Sequence, residues 1–383
     1  MPTIAGPAAA AFSSLTPSQR AFIYGLPKAE LHAHLNGSIP IDVLQDLARD
    51  YSSQHAGNSD TNNSVSGEAI KAGLEKLRTG VTLDEIHDFF GLFPAIYALT
   101  STPEALERAT RGVLDAFFSP TPTLTPSNED SDTMLCAPEC TYLELRTTPR
   151  QTPSMSYEIY LRTVLQTCSS YTSTLPPLPQ SLAYKTALQR RVGVIASLDR
   201  RMSRTTMHEI INVVVKLKEE GLDVVGVDLC GDPTAGDVEE FRYVFRRVAE
   251  AGLGVTLHIA ETLKNSPEET LKLLSFNPDR LGHATFLDEQ ARDIVLKNKT
   301  CIEICLTSNL LCKTVPDLES HHIQYWLTRQ HPIAICTDDI LPFRNSLTAE
   351  YALLLAEPPL GLGLTEGEVR MIAEMSLYSR FSA

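Results

Sequence analysis

Four residues of the chain have side chains that bind transition metals and lie where separate β-strands are predicted to end. His32 and His34 are two positions apart in one predicted strand, so their imidazoles point to the same face. His258 ends a second predicted strand and Asp338 ends the last one. Three imidazoles and one carboxylate make a four-ligand metal site with a further position for water. Zinc suits these nitrogen ligands best, although the same residue types also bind iron, cobalt or manganese.

Three further titratable residues lie at or just after the ends of predicted strands. Glu261 lies three residues after His258, where a carboxylic acid can donate a proton to a ring nitrogen of a substrate. His283, in Arg-Leu-Gly-His, can orient or deprotonate a metal-bound water. Asp339 directly follows Asp338, so one carboxylate can face the metal while the other faces the substrate. These residues predict acid–base chemistry beside a metal ion.

Other sequence signatures of metal or cofactor sites are absent. The chain contains neither His-Glu-x-x-His nor the pairing of His-x-Glu with Pro-Cys-x-x-Cys. The glycines at 361–367 have the wrong spacing for a dinucleotide-binding loop. His87, in an apolar predicted helix, is left open. Structural or solvated roles are expected for His55, His208, His321, His322 and His331.

Eight short apolar runs predict the β-strands that carry these residues. Most of the runs are nearly continuous, which is typical of sheets buried on both faces. Amphipathic segments between them, at 207–220, 238–251, 267–274 and 347–356, predict helices. The repeated alternation predicts an α/β fold, a (β/α)8 TIM barrel whose catalytic residues lie at the C-terminal ends of the strands. The predicted strands span 29–35, 141–146, 192–197, 224–229, 254–259, 280–283, 301–306 and 333–337.

The interval between the first two strands is far longer than one crossover helix needs. Helices are predicted there at 41–51, 68–78, 83–99 and 103–118, and we expect them to cap the barrel. Loops are predicted at 52–67, at the proline-punctuated 119–132, and from Leu175 onward. Residues 1–383 are expected to form a single domain, with a flexible tail over 1–19.

The composition restricts the partners and the compartment. Lys and Arg number 33 against 47 Asp and Glu, a net charge of −14, which argues against a nucleic-acid-binding surface. No apolar run reaches the roughly 18 residues of a membrane span, and the N-terminus lacks the pattern of a signal peptide. We therefore expect a cytoplasmic protein whose cysteines are thiols. Within predicted strands, small buried side chains are expected at Cys230, Cys301, Cys305 and Cys336.

Five motifs in a fixed order resemble the adenosine/AMP deaminase family. They are Leu-Pro-Lys-Ala-Glu-Leu-His-Ala-His-Leu-Asn-Gly-Ser-Ile at 26–39, Asp-Leu-Cys-Gly-Asp-Pro at 228–233, His-Ile-Ala-Glu at 258–261, Arg-Leu-Gly-His at 280–283 and Cys-Thr-Asp-Asp at 336–339. The similarity covers about residues 20–378. The block Tyr-Leu-Glu-Leu-Arg-Thr-Thr-Pro at 142–149, Cys-Leu-Thr-Ser-Asn at 305–309, and Asn36 in place of Asp resemble the adenosine deaminase-like members in particular.

The resemblance implies roles for individual residues. It makes His32, His34, His258 and Asp338 the ligands of one zinc ion. Glu261 becomes the proton donor, His283 the base that activates water, and Asp339 a group that contacts the purine. The implied substrate contacts are His34, Asn36, Tyr97, Arg146, Thr147, Thr148, Pro149, Asp199, Gly231 and Asp339. Of these, Asn36, Asp199 and the segment Arg146–Pro149 are expected on the sugar-phosphate side.

Asn36 has a physical consequence for the choice of substrate. A carboxylate beside a phosphate dianion is repelled by about 1–4 kcal/mol at about 4 Å, and a neutral amide removes that repulsion. Arg146 can offer a charged fork to phosphate oxygens, although a structural ion pair is the alternative role of this residue.

The resemblance implies a zinc-dependent monomeric enzyme that acts on a small purine nucleotide, removing methylamine from N6-methyl-AMP to give IMP. Deamination of the free nucleoside adenosine remains an alternative. A catalytically inactive binding protein of the same fold would be favoured by loss of a ligand, which is not seen. A phosphotriesterase-type hydrolase usually needs a lysine at a strand end, and none lies at the predicted ends.

Overall fold

All eight predicted strands are present in the computed structural model, which describes residues 4–55, 67–79, 91, 93–119, 121–124, 134–175 and 191–381. They form one parallel sheet in which each strand pairs with the next. The described strands are β1 (Ala29–His34), β2 (Thr121–Leu124), β3 (Met134–Ala137), β4 (Tyr142–Thr147), β5 (Arg191–Asp199), β6 (Val224–Cys230), β7 (Gly254–Ile259), β8 (Arg280–His283), β9 (Cys301–Ile304) and β10 (Ile333–Ile335). Of these, β2 and β3 pair only with each other, outside the eight-stranded sheet.

The sheet closes into a barrel between β1 and the residues after β10. The backbone N–H of His34 donates to the carbonyl of Asp338 at 3.0 Å, and the N–H of Asp338 donates to the carbonyl of His32 at 2.9 Å. Ala33 and Asp338 form a parallel bridge. Barrel closure and the positions of three predicted metal ligands therefore depend on the same hydrogen bonds.

Continuous burial explains why the strands read as apolar runs. Every residue of β4 and of β6 is buried. The outer face of the barrel is covered by helices, and the inner face packs against other strands. This two-sided burial confirms the prediction of a (β/α)8 barrel.

The helical segments lie close to their predicted positions, and capping residues set their ends. Ser203 and Ser266, for example, each accept a backbone N–H of the first turn that follows. The helix predicted at 238–251 begins as a 3-10 turn, Val238–Phe241. No helix in the described ranges is long and apolar enough to cross a membrane. The described α-helices are α1 (Gly6–Ser14), α2 (Pro17–Tyr24), α3 (Ile41–His55), α4 (Gly67–Thr79), α5 (Phe93–Leu99), α6 (Pro103–Phe118), α7 (Tyr157–Thr174), α8 (Arg204–Glu219), α9 (Arg242–Glu250), α10 (Pro267–Leu274), α11 (Glu289–Asn298), α12 (Leu306–Leu311), α13 (Ile323–Leu327), α14 (Ile340–Phe343), α15 (Leu347–Leu355) and α16 (Glu366–Tyr378).

The helices between β1 and β4 have two locations. Helices α3, α4 and α5 pack on one another, and α5 also contacts the 3-10 turn Asn36–Ser38 that follows β1. Helix α6 instead packs along α7, the helix that follows β4. The cap is thus built mainly from α3 to α5, while α6 joins the outer helices. Residues 83–90 and 92 of the predicted third cap helix, and most of the predicted loops at 52–67 and after Leu175, lie outside the described residues.

The prediction of a flexible tail over residues 1–19 is wrong for the described residues, which begin at Ile4. Helices α1 and α2 form there, and α1 packs against α15. Ala8 and Ala11 are fully buried. The alanine run therefore acts as a close-packing helix face, because small side chains let two helices approach each other.

The segment predicted as a loop at 119–132 contains a strand. Thr121–Leu124 pairs antiparallel with Met134–Ala137, in register from Thr121 with Ala137 to Leu124 with Met134. The three prolines in the segment predicted a loop, but a single two-stranded ribbon tolerates proline, because one edge of each strand needs no partner. Residues 125–133 lie outside the described residues.

The end of the barrel opposite the catalytic ends of the strands holds three buried charged residues covered by an aromatic ring. This group is here called the barrel floor and consists of Glu144, Arg280, Glu303 and Phe381. Arg280 forms ion pairs with both Glu144 and Glu303. The Phe381 ring lies 3.6 Å from the Arg280 guanidinium carbon, and its backbone N–H donates to Glu144 at 2.6 Å. A Cβ on Gly254 would lie 2.4 Å from this ring, so glycine makes room for it. The floor charges are therefore neutralised by protein groups.

The four cysteines of the predicted strands are buried thiols, as expected. Cys230, Cys301, Cys305 and Cys336 are all free and buried. Burial raises the pKa of the Cys301 thiol to about 12, so this group stays uncharged and acts as a small apolar side chain.

Candidate active site

Three imidazole rings meet at the carboxyl ends of β1 and β7. The Nε2 atom of His258 lies 3.0 Å from Nε2 of His32 and 3.2 Å from Nε2 of His34. The Nδ1 atom of His32 contacts Glu303 at 2.6 Å, and Nδ1 of His258 contacts Asp228 at 3.0 Å. A proton on each of these Nδ1 atoms leaves the Nε2 atoms with lone pairs that converge on one point. A cation at that point would turn this repulsive arrangement into a favourable one.

Asp338 adds an oxygen donor to the same cluster. Its Oδ1 lies 3.5 Å from Nε2 of His34 and 3.7 Å from Nε2 of His32. Donors that sit about 2.0–2.1 Å from a tetrahedral zinc ion are separated from one another by roughly 3.3 Å. Ser308 donates a hydrogen bond to the other oxygen of Asp338 at 2.7 Å, which orients the carboxylate. The donor types and separations therefore fit a divalent metal ion.

The electrostatic environment favours neutral histidines at two of these positions. Burial lowers the pKa of His34 to about 3 and holds the pKa of His32 well below its usual range. Burial also opposes a charge on His258, but the adjacent Asp228 carboxylate outweighs it and raises the pKa. Neutral imidazole is the form that binds metals, so a bound cation would compete with a proton only at His258.

The predicted acid–base residues lie beside the cluster. Nε2 of His283 is 3.6 Å from Oε1 of Glu261 and 3.8 Å from Oδ2 of Asp338. Its Nδ1 is buried and has no hydrogen-bond partner in the described ranges. Nε2 of His322 donates to the carbonyl of His283 at 2.9 Å, so a histidine that the sequence predicts to be structural supports the site. His283 can thus exchange protons with groups bound near Asp338.

Asp339 faces the pocket under conditions that favour its protonated form. A Cβ on Gly37 would lie 1.4 Å from Oδ1 of Asp339, so only glycine allows this close packing. Burial, and then the charge of Asp338, raise the pKa of Asp339 well above its usual range. Its Oδ1 has no hydrogen-bond partner among the residues that the structure describes. A protonated carboxyl here can donate a hydrogen bond to a ligand.

A pocket of about 730 Å³, its open entrance included, lies above the cluster, and together they form what is here called the barrel mouth. Of the predicted site residues, His32 lies beneath the pocket and Pro149 is buried away from its lining. The others line it: His34, Asn36, Tyr97, Arg146, Thr147, Thr148, Asp199, Gly231, His258, Glu261, His283, Asp338 and Asp339.

Several lining residues were not predicted: Leu35, Phe93, Arg201, Cys230, Ser308, Cys312 and Phe343. Ser308 follows the end of β9 by a few residues, so a search of the residues after each predicted strand could have found it. Cys312 directly follows the short helix α12 and Phe343 ends the short helix α14, and no sequence pattern marks either residue.

Two predicted contacts have the geometry of a ligand site. The side-chain oxygen of Asn36 is buried without a hydrogen-bond partner in the described part of the chain. Gly231 has a φ of +92°, and a Cβ there would lie 2.6 Å from Cγ of Asp199. The backbone at Gly231 can therefore approach a flat ring closely, which no other residue type would allow without strain.

Arg146 forms buried ion pairs, which was the alternative to a phosphate contact in the sequence analysis. Its side chain is fully buried, and it pairs with Glu303 at 2.8 Å and with Asp228 at 3.5 Å. It also donates to the carbonyl of Leu31 at 2.7 Å. Glu303 also contacts His32 and Asp228 contacts His258, so Arg146 holds two carboxylates that orient histidines of the cluster. Its Nε and Nη1 have no hydrogen-bond partner among the described residues.

The neighbouring hydroxyls and Asp199 are partly occupied as well. Thr147 Oγ1 hydrogen-bonds the Tyr160 hydroxyl at 2.7 Å. Arg201, which lines the pocket and is about half exposed, donates to both oxygens of Asp199, at 2.8 and 2.6 Å. The guanidinium at the pocket entrance is therefore that of Arg201.

The other histidines behave as expected where they are described. His331 donates to the carbonyl of Thr300 at 2.8 Å, and His321 contacts Asn309 at 3.2 Å. These are structural hydrogen bonds away from the pocket lining. His87 and the side chain of His55 lie outside the described residues.

The protein is an eight-stranded parallel barrel with a His/Asp cluster at the carboxyl ends of its strands, which is where TIM-barrel enzymes carry their active sites. The sequence model of the adenosine deaminase family matches residues 133–382. An N6-methyl-AMP deaminase of Danio rerio is 31% identical over 94% of this chain and 92% of its own length. An N6-mAMP deaminase of Arabidopsis thaliana is 30% identical over 94% of each chain. The protein belongs to the adenosine deaminase family and is an enzyme of the deaminase type.

Solved structures agree with this assignment. The crystal structure of the Arabidopsis N6-mAMP deaminase superposes with a TM-score of 0.76 at 28% identity, covering 95% of this chain and 96% of that one. Arabidopsis ADAL complexed with IMP has a TM-score of 0.75 and covers 94% and 93% of the two chains. A zinc-bound amidohydrolase from Burkholderia, at 16% identity and a TM-score of 0.72, covers 96% of this chain and 89% of its own and shares the fold.

Proposed function

We propose that the enzyme hydrolyses N6-methyl-AMP to IMP and methylamine, with zinc bound by His32, His34, His258 and Asp338. The observation that carries this proposal is the convergence of three Nε2 atoms and a carboxylate beneath a pocket that also presents Glu261 and Asp339. The names of the relatives and the complexes of an Arabidopsis relative with IMP and GMP support the choice of substrate.

Each residue of the barrel mouth has a task in this reaction. A zinc ion held by His32, His34, His258 and Asp338 would make a bound water molecule acidic enough to yield a nucleophile near neutral pH. His283 takes the proton of that water, and Glu261 delivers a proton to N1 of the purine. Asp339, in its protonated form, donates to N7. The water oxygen replaces the amine nitrogen on C6, the C6–N6 bond breaks, and the two water protons end on N1 and on the departing amine.

The acid role of Glu261 can be tested without disturbing the metal. Glu261→Gln keeps the size of the side chain but cannot donate the proton, so kcat should fall by a factor on the order of 10²–10⁴. Bound metal, measured by elemental analysis, should be unchanged, because Glu261 is outside the ligand set. A variant with normal kcat would show that another group protonates N1.

The choice of nucleotide over nucleoside rests on Asn36 and the guanidinium of Arg201. Asn36→Asp should raise KM for N6-methyl-AMP, because the new carboxylate repels the phosphate. The repulsion costs at most about 1–4 kcal/mol of binding free energy. The same change should affect N6-methyladenosine much less. Arg201 is paired with Asp199 but is about half exposed at the pocket entrance, so its guanidinium can also contact a phosphate. Arg201→Ala should therefore weaken binding of the nucleotide more than that of the nucleoside, by about 1.5–3 kcal/mol for a charge-assisted contact.

The decisive comparison uses N6-methyl-AMP, AMP and adenosine side by side, together with metal analysis of the purified enzyme. Preference for N6-methyl-AMP supports the proposal. Preference for adenosine, with a nucleotide-to-nucleoside ratio that neither variant changes, would make the protein an ordinary adenosine deaminase.

A further inference from the structure

Two short helices form one wall of the pocket. Helices α12 and α14 pack against each other. Cys312 directly follows α12 and Phe343 ends α14; both line the pocket and both are buried, with 8% and 2% of their surfaces exposed. Together with Leu311 they form a small apolar cluster that is separate from the main hydrophobic core. The wall therefore presents apolar surface to an otherwise polar site.

The position of this wall relative to the carboxylates locates it on the bound purine. Cys312 is linked to Asp338 through Ser308: its backbone N–H donates to the carbonyl of Ser308 at 2.8 Å, and Ser308 Oγ donates to Asp338 Oδ2 at 2.7 Å. The same oxygen of Asp338 lies 3.8 Å from Nε2 of His283, which is 3.6 Å from Glu261, and all of these residues line one pocket. In the proposed function, Glu261 faces N1 and Asp339 faces N7. The substituent on C6 projects between N1 and N7, in the plane of the ring. Cys312 therefore stands on the side toward which the C6 substituent points.

We propose that Cys312 and Phe343 form the subsite for the N6-alkyl group and set the size of the amine that leaves. This inference rests on the proposed function. A thiol and a phenyl ring are weak hydrogen-bond acceptors, and both offer good contact to a methyl group. The free amino group of AMP brings a second N–H donor toward this wall, and neither the thiol nor the phenyl ring is a strong acceptor for it. The wall thus favours a short alkylamine over ammonia as the leaving group.

Volume changes at Cys312 test the subsite. Cys312→Leu adds bulk and Cys312→Ala removes it, and kcat/KM is measured for AMP, N6-methyl-AMP and N6-ethyl-AMP. AMP is the internal reference, because it carries no alkyl group. One methylene in an apolar pocket is worth about 10-fold or more in discrimination. The ratio of N6-ethyl-AMP to AMP should therefore fall at least about 10-fold in Cys312→Leu and rise in Cys312→Ala.

A matched control separates this effect from a general loss of thiol packing. Cys168→Ala removes a buried thiol from α7, away from the pocket lining, and should leave all three ratios unchanged. If a Cys312 variant fails to fold, Phe343→Leu serves instead, because it widens the same wall and should raise the N6-ethyl-AMP ratio.

The two hypotheses fail in different ways. A wild-type enzyme that turns over none of the three nucleotides would refute the proposed function. An enzyme that turns over N6-methyl-AMP, but whose ratios stay within about twofold in both Cys312 variants or in Phe343→Leu, would place the alkyl group elsewhere and leave the proposed function intact.

Discussion

The two ends of the barrel interior carry equally buried charges but satisfy them differently. At the barrel floor, Arg280 is paired with Glu144 and Glu303, and the ring of Phe381 covers it. At the barrel mouth, imidazole lone pairs point at one another, and Asp339 and Asn36 have oxygen atoms without partners in the described ranges. Buried polar groups are normally satisfied within the protein. The floor is therefore built for stability, and the mouth is built to be completed by a ligand.

Glu303 connects the two ends. Its Oε1 accepts from Arg280 at 2.7 Å and from Thr256 at 3.0 Å, while its Oε2 contacts His32 at 2.6 Å and Arg146 at 2.8 Å. Burial opposes its charge, but the two arginines lower the pKa of Glu303 to about 2. The carboxylate thus remains ionised and can orient the His32 ring by accepting its Nδ1 proton.

The largest expected effect comes from removing a ligand at the mouth. His34→Ala or Asp338→Ala should lower activity below about 1% of wild type and remove stoichiometric metal, because three remaining ligands hold the ion poorly. Without metal, each variant should be about as stable as metal-free wild type, because the substitution removes one of the side chains whose lone pairs face one another in the cluster. Elemental analysis, and urea unfolding in the presence of a chelator, measure the two quantities. Full metal content with normal activity would rule out the ligand set.

Removing a charge from the barrel floor should instead lower the stability of the protein. Arg280→Ala leaves Glu144 and Glu303 buried without their main cation, which should lower the free energy of unfolding by about 3–5 kcal/mol. As a control, Arg246→Ala breaks an exposed ion pair with Glu250 and should cost less than about 1 kcal/mol. Equal losses for the two variants in urea unfolding would mean that the floor network contributes no more than a surface pair.

A buried carboxylate that forms no ion pair with any residue the structure describes should make stability depend on pH. Glu350 accepts from the backbone N–H of Thr307 at 3.2 Å and from Asn345 at 2.8 Å, and burial raises its pKa from 4.5 to about 7. An acid whose pKa is raised by folding is destabilising once ionised, so stability should fall as the pH rises from about 4.5 to about 7.

Replacing Glu350 tests that dependence. The free energy of unfolding of the wild type should be lower at pH 8 than at pH 5, by at most about 3 kcal/mol from this group, and Glu350→Gln should abolish that difference. Urea unfolding at the two pH values measures it. An identical pH profile in wild type and variant would show that Glu350 does not titrate in this range.

The smallest expected effect is at Ser308, which orients Asp338, one of the four proposed metal ligands. Ser308→Ala removes the hydrogen bond to Asp338 and should weaken metal binding about 10- to 100-fold, the usual value for groups that support a ligand. Ser266→Ala, which removes the cap of α10, should lower stability and leave metal affinity unchanged. Competition with a chelator gives the affinities, and a Ser308 variant that binds metal like wild type would make the hydrogen bond irrelevant to the site.

Much of the architecture could be predicted from local patterns in the sequence. Apolar runs such as that of β6 mark strands buried on both faces, whatever their neighbours are. The i, i+2 spacing of His32 and His34 puts two imidazoles on one face of a strand, and strand-end position predicted His258 and Asp338. These features follow from the geometry of a single strand, so no knowledge of distant contacts was needed.

The sequence by itself determined the barrel, the order of its strands and the residues able to hold a metal at its mouth, because strand periodicity and strand-end position are local properties. Only the tertiary structure decided which charges are already paired. Arg146 lies near the carboxyl end of β4, where a phosphate-binding residue could also lie, yet it forms ion pairs with Glu303 and Asp228, which are far away in the sequence. The apolar wall of Cys312 and Phe343 also exists only where two short helices meet. Burial and charge pairing depend on residues brought together by folding, and local sequence patterns carry no record of them.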